Sequence, residues 1–223
     1  MRRFLFLLVF GIVGGGVLVS LGTWQMRRLE WKQGVLAEIE ARIAADPVAL
    51  PAAPDPEADR YLSVRVAGTL GDAELHVLVS TRDLGAGYRI IAPFTTVAGR
   101  RILVDRGYIP TEAKNEQRST GSMEIAGNLH WPQEIDSFTP DPEPDKNIWF
   151  AREVPILAAT LDTEPVLLIA RSQTDPGVTP LPVTTVGIPN DHLQYAVTWF
   201  GLGLVWAMMT LYFLWRTRAR SRS

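Results

Sequence analysis

The sequence predicts a membrane protein: two transmembrane α-helices flanking a mainly β extracytoplasmic domain, an antiparallel sheet or small barrel with minor α. Three observations carry that expectation. No charged residue occurs from Phe4 to Trp24 or from Leu193 to Trp215, runs of 21 and 23 positions. At ~1.5 Å per residue each run reaches about 31 to 34 Å, enough to cross the hydrocarbon core of a bilayer with some tilt. Between them, short segments alternate apolar and polar residues with the period of a half-buried strand. Finally, too few segments carry helical spacing for a doubly wound sheet.

The first transmembrane helix is expected over residues 1–24. A cleaved signal peptide is the alternative, because Arg2-Arg3 precede the apolar run and Ser20-Leu21-Gly22 loosely resembles a cleavage site. The run exceeds a usual signal core and ends on Trp24, which suits an interface belt, so retention is expected. Residues 25–58 read as a juxtamembrane helix and Pro-rich connector. Leu29, Leu36, Ile39 and Ile43 share one helical stripe to about Ala45, and Pro47, Pro51, Pro54 and Pro56 prevent its continuation.

The β domain is assigned to residues 59–191. Leu62, Val64 and Val66 alternate with polar or small neighbours, and Leu75, Val77 and Val79 form the next strand after a Gly71-Asp72 turn. Tyr88 to Val97 and Arg100 to Ile109 form a hairpin about Ala98-Gly99. Met123, Ile125, Leu129 and Trp131 alternate likewise. One short helix is expected near Val154 to Leu161, then a buried strand from Val166 to Ala170. Asp175 to Pro189 is loop-like and leads into the second transmembrane helix, 192–215. A basic cytoplasmic tail, 216–223, closes the chain.

Charge sets topology and excludes a function class. All 24 acidic residues lie between Gln25 and Asp191 with 16 basic ones, a net charge of −8 for the middle of the chain. An acidic domain is a poor match for a nucleic-acid backbone. Arg2 and Arg3 before the first helix and Arg216, Arg218, Arg220 and Arg222 after the second put both termini in the cytoplasm and the domain outside. Arg27, Arg28 and Lys32 defy that bias, because they sit on the outer side. The chain has no cysteine, which removes disulfides, thiol redox chemistry and thiolate metal sites.

The domain carries no P-loop, no Gly-x-Ser-x-Gly elbow and no His-Glu-x-x-His helix, so no enzyme is expected. Of three histidines, His76 and His130 fall on polar strand faces and are expected to be solvated. His192 opens the second membrane helix. Helical spacing puts it on one side with Tyr195, Ala196, Trp199, Gly203 and Trp206. An imidazole at membrane depth beside aromatic walls and small residues suits a haem, with His192 as axial ligand. Arg27, Arg28 and Lys32 would meet the propionates. The candidate cofactor-binding set is His192, Tyr195, Trp199, Arg27, Arg28 and Trp24, with His192 on the iron. The bland alternatives are an interfacial histidine, arginines bound to lipid heads or Glu30, and glycines such as Gly11 and Gly15 that pack helix on helix.

Three motifs resemble the surfeit locus protein 1 family, the Shy-type assembly factors of cytochrome c oxidase. They are Leu21-Gly22-Thr23-Trp24-Gln25 followed by Arg27, Leu29, Trp31 and Lys32; Leu103-Val104-Asp105-Arg106-Gly107-Tyr108-Ile109-Pro110; and Asn190-Asp191-His192-Leu193-Gln194-Tyr195-Ala196 with Trp199. They run in the family's order over almost the whole chain. Asp105 stands where Asn is common in the family, and Asp191 before His192 is also acidic. The resemblance implies a factor that binds haem a, or haem b when haem a is absent, and helps place it in oxidase subunit I. It implies His192 as the haem-associated histidine, haem A synthase as a candidate partner beside subunit I, and membrane lipids. The first two motifs are expected to hold the domain on the membrane rather than to ligate. A bacterial cytoplasmic membrane with a periplasmic domain is expected, since the apolar helix beginning at Phe4 leaves no room for a transit peptide; a mature mitochondrial chain, its transit peptide removed, is the alternative.

Overall fold

A computed structural model describes Arg2 to Arg220; Arg222 of the expected basic tail lies outside the described residues. The chain divides into two compact units, one of residues 1–38 with 186–223 and one of residues 39–185.

The first unit is a helix pair. Helix α1 runs without interruption from Arg2 to Ala44, 43 residues or about 65 Å, and so continues well past the apolar run. Helix α3 spans His192–Arg220; between them in sequence lies the short α2, described below. Both are long and apolar enough to cross a membrane, and only 6 % of the apolar window of each is buried within the protein. That exposure separates them from the core helices of a soluble protein, whose apolar faces are covered by protein. The contacts pair Gly11 with Thr210, Gly14 with Trp206 and Gly22 with Phe200, so the helices are antiparallel. Arg2 and Arg3 therefore share one end of the pair with Arg216 and Arg218.

Glycine permits this approach. A Cβ on Gly14 would lie 2.4 Å from the Trp206 ring, and one on Gly22 2.6 Å from Phe200. The Trp206 indole N–H donates to the Gly11 carbonyl at 3.0 Å, and its ring meets Phe10 at 5.1 Å between centroids. These small-residue contacts replace the hydrophobic drive that lipid does not supply.

The second unit is a closed barrel. Its strands are β1 (Val48–Ala49), β2 (Ser63–Leu70), β3 (Leu75–Thr81), β4 (Gly85–Thr96), β5 (Arg101–Pro110), β6 (Gly121–Leu129) and β7 (Leu167–Ala170), with α2 at Val154–Leu161. The pairings β2–β6, β6–β7, β7–β5, β5–β4 and β4–β2 close a ring of five strands. Closure removes the free edges that an open sheet would expose. Strand β3 extends the wall from β4, and β1 adds a two-residue parallel pairing to β2 inside the connector. The remaining pairings are antiparallel except β5–β7. A parallel pair needs a long crossover, and the chain makes it through β6 and α2.

The alternating residues fill the barrel. Val64, Val66, Phe94, Ile102, Val104, Ile125 and Leu168 form the inner core. Leu167 and Ile169 point the other way and meet Leu157 and Leu161 of α2. Helix and barrel cover the two faces of β7, which is why all four of its residues are buried and why it reads as a continuous apolar run. Helix α2 begins after Glu153 with Pro155 in its first turn and stops at Asp162 in the left-handed conformation.

Candidate functional site

In the helix pair the first residue of α3 meets an amide from α1. His192 Nδ1 lies 2.8 Å from Gln25 Oε1. Gln25 is buried at 8 % exposure although its neighbours Trp24 and Met26 are exposed. A neutral ring that donates from Nδ1 to this oxygen would carry its lone pair on Nε2. A second-sphere acceptor of this kind fixes the tautomer and orientation of a metal-binding imidazole.

The other expected residues divide. Trp199 is half-buried one and a half to two turns along α3, and Ala196 and Gly203 are buried on the same face. Tyr195 is 55 % exposed and stands at the edge of that stripe. Trp24, Arg27 and Arg28 are exposed on α1. Helical spacing sets Arg28 and Lys32, three and seven residues beyond Gln25, on its side of α1, and Arg27 on the opposite side. The Arg28 guanidinium lies over the Trp31 ring, 4.1 Å from its centroid. Gln25 itself was not among the candidates. Its signal was positional: it continues the small-residue face of Gly11, Gly15 and Gly22 by one more helical step.

The donor set tests what this site could hold. Among the described residues no three His, Cys, Asp or Glu side chains gather to cage a metal ion. A lone imidazole suits an iron whose remaining equatorial ligands come from a macrocycle. His192, with Gln25 on its Nδ1, is the residue of this site that could ligate such an iron. A groove between the helices, lined by Gly14, Val17, Leu18, Leu202, Val205 and Trp206, lies about two to three turns from Gln25 and belongs to the packing face instead.

The barrel unit corrects the reading of the remaining histidines. His76 is buried and His130 is half-buried. His76 is 7 % exposed; Asn147 Nδ2 approaches its Nδ1 at 3.2 Å, and its Nε2 lies 3.7 Å from Glu74. His130 stacks on Tyr61, with centroids 5.2 Å apart, and its buried Nδ1 has no hydrogen-bond partner. Burial, then the nearby charges of Arg152 and Arg60, push its pKa down to about 4. Strand alternation misled because loops cover the outer face of the barrel here, which periodicity alone does not encode.

The second motif is also internal. Asp105 and Arg106 are both fully buried. Asp105 accepts from Arg89 at 2.6 Å and Arg152 at 3.2 Å, and Arg152 in turn clamps Glu134 through its guanidinium and its backbone N–H. Burial raises the Glu134 pKa, but the Arg152 hydrogen bonds outweigh it and hold the carboxyl below its ordinary value. Arg106 donates to Glu74 at 2.7 Å, the Thr174 hydroxyl at 3.1 Å and the Ser119 carbonyl at 2.9 Å. Gly107, at φ +116°, receives the Thr179 carbonyl where a Cβ would stand, 2.2 Å from it. These residues tie strands and loops of the barrel together, so the motif holds the domain's own fold rather than a membrane-facing surface.

The fold and site define a class: a membrane protein whose antiparallel helix pair carries an imidazole–amide contact, joined in sequence to a closed five-stranded barrel. The SURF1 family model matches residues 12–204. Surfeit locus protein 1 of Homo sapiens is 34 % identical over 207 residues, covering 82 % of this chain and 69 % of its own length. The Rattus norvegicus protein of that name is 31 % identical over 206 residues, covering 82 % and 67 %. A SURF1-like protein of Monosiga brevicollis is 32 % identical over 216 residues, covering 88 % and 83 %. The chain belongs to the SURF1 family.

Proposed function

We propose that this protein is a cytochrome c oxidase biogenesis factor that binds haem a at the outer ends of its helices and assists its insertion into oxidase subunit I, without catalysing a reaction. Family membership implies the oxidase assembly role. The observation that supports a haem-binding form of it is the 2.8 Å contact by which Gln25 engages His192 at Nδ1, the nitrogen on the other side of the ring from Nε2.

Haem, when bound, would supply an iron that takes an imidazole ligand and an apolar ring with anionic substituents. His192 offers Nε2, and Gln25 keeps the ring in one tautomer. Trp199 gives an aromatic wall, with Tyr195 and Trp24 flanking at the interface. Arg28 and Lys32 supply cations for the propionates from the side of α1 that carries Gln25, and Arg27 is left to lipid heads. A single protein ligand holds the cofactor without trapping it, so it can be passed on. Haem A synthase is a proposed partner, and haem b the substitute when haem a is absent. The proposed setting is a bacterial cytoplasmic membrane, with both termini cytoplasmic and the barrel periplasmic.

A second reading is a scaffold that stabilises an oxidase assembly intermediate without haem. The same contact favours it, because a histidine–glutamine bond also satisfies two polar groups between packed helices. Purification of the full chain from cells that make haem A separates the two. The haem reading expects a coloured protein whose visible spectrum is lost in His192→Ala. Unchanged haem occupancy and spectrum in that variant would exclude axial ligation by His192. Equal oxidase haem content in a deletion strain would argue for the scaffold.

A further inference from the structure

The segment from Glu134 to Glu153 presents an apolar surface that neither the haem site nor the barrel core uses. Phe138 is 88 % exposed, and Ile135 and Ile156 are about half exposed. Beside Phe138 runs a shallow cleft lined by Ile135, Pro140, Pro142, Phe150 and Ile156, with Glu153 as its ionisable member. Its volume, about 40 Å³, admits a side chain rather than a small-molecule ligand.

The tip that carries Phe138 is built to hold that shape. Asp136 Oδ1 accepts the Phe138 N–H at 2.8 Å and the Thr139 hydroxyl at 3.1 Å, and the Asp136 N–H donates back to Thr139 Oγ1 at 2.9 Å. Glu134, just before the tip, is clamped by Arg152. An exposed aromatic on a preorganised turn loses little conformational freedom on binding, which is how interface anchors gain affinity.

Charge chooses the occupant. The segment holds six acidic residues, Glu134, Asp136, Asp141, Glu143, Asp145 and Glu153, against Lys146 and Arg152. Both cations are already paired within the domain, Lys146 with Glu143 and Arg152 with Glu134 and Asp105. Asp141, Asp145 and Glu153 form no ion pair among the described residues. Such a rim repels the anionic surface of a bilayer and attracts cations. We propose that the Phe138 tip and its cleft dock a cationic, apolar-bearing segment of a partner protein. The apolar residues of that segment sit on Phe138 and in the cleft, and its Lys or Arg side chains face Asp141, Asp145 and Glu153.

The test puts a photo-reactive benzoyl group on the ring at position 138 of the full chain, irradiates cells that contain the native membrane, and sequences the cross-linked peptide. The same label at Val97, an exposed residue on the β4–β5 turn, is the control. The expected result is a protein adduct at position 138 and not at 97, on a segment with net positive charge and apolar residues. Asp141→Asn, Asp145→Asn and Glu153→Gln together should lower its yield about tenfold, the change expected when an interface loses its charge complement. These residues lie at the surface, and an unchanged melting temperature shows that the fold is intact. Adducts to lipid, to a second copy of this chain or to a segment without cations would overturn the proposal, as would no adduct at all or a yield indifferent to the three substitutions.

Discussion

The helix pair and the barrel's central charge network treat their buried polar side chains in different ways. In the barrel, buried charges meet several partners at once: Asp105 takes two guanidinium groups and a backbone N–H, and Arg106 reaches a carboxylate, a hydroxyl and a carbonyl. In the helix pair the polar contacts are one to one: His192 Nδ1 with Gln25 Oε1, and the Trp206 N–H with the Gly11 carbonyl. A closed network holds a fold, because each member satisfies the others. An open one has capacity to accept a ligand.

The largest effect should come from breaking the closed network. Asp105→Ala leaves Arg89 and Arg152 facing an empty buried position and should destabilise the barrel by about 3 to 5 kcal/mol. Thermal unfolding of the full chain, followed by limited proteolysis within 39–185, would read it. A loss below about 1 kcal/mol would mean the guanidinium groups find other partners.

The barrel's histidine gives the next effect. His130 has a folded pKa of about 4, below its ordinary value near 6.5. The unfolded chain therefore binds more protons between those values, and stability falls as pH drops through that window. The lowered carboxyls of Glu134, Glu164 and Asp175 act only further down, because their contribution is lost as pH falls below their ordinary values. Denaturation of wild type from pH 6.5 to 4.5 should show a loss of about 1 kcal/mol that is absent in His130→Leu, allowing for the ring's partial solvent contact. Parallel curves would assign the acid sensitivity elsewhere.

In the helix pair the expected effects are on ligand binding. Gln25→Leu removes the acceptor for Nδ1–H and should weaken haem binding about 10- to 100-fold, measured by titration of the purified protein. Arg28→Gln should weaken it less, by a few fold, since one exposed cation contributes roughly 1 kcal/mol or less. Tyr195→Phe, at the exposed edge of the stripe, should change affinity by less than about twofold. A reversal of that order would shift the site away from the Gln25 side of α1.

The same contrast explains what the sequence made legible. Both membrane helices, the Ala98-Gly99 hairpin and the Val154–Leu161 helix follow from periodicity and turn chemistry, which are local. Closure of the barrel is not local: it depends on β4 pairing with β2 as well as β5, and on β7 inserting parallel to β5 after a long crossover. The Asp105 network was hidden for a similar reason, since its partners come from residues 89, 134 and 152. His192 drew notice in the sequence because an imidazole at an expected membrane interface stands out chemically. Gln25 was not, because a neutral amide beside two arginines gives no charge anomaly, and only the α3 face opposite identifies it.

The most direct test of the open site replaces its histidine with glycine and supplies the ring from solution. Full-length His192→Gly, purified from cells that make haem A, should lack the wild-type haem spectrum, and added imidazole should restore it. Wild-type haem content and spectrum in His192→Gly without imidazole would contradict the assignment of His192 as the iron ligand.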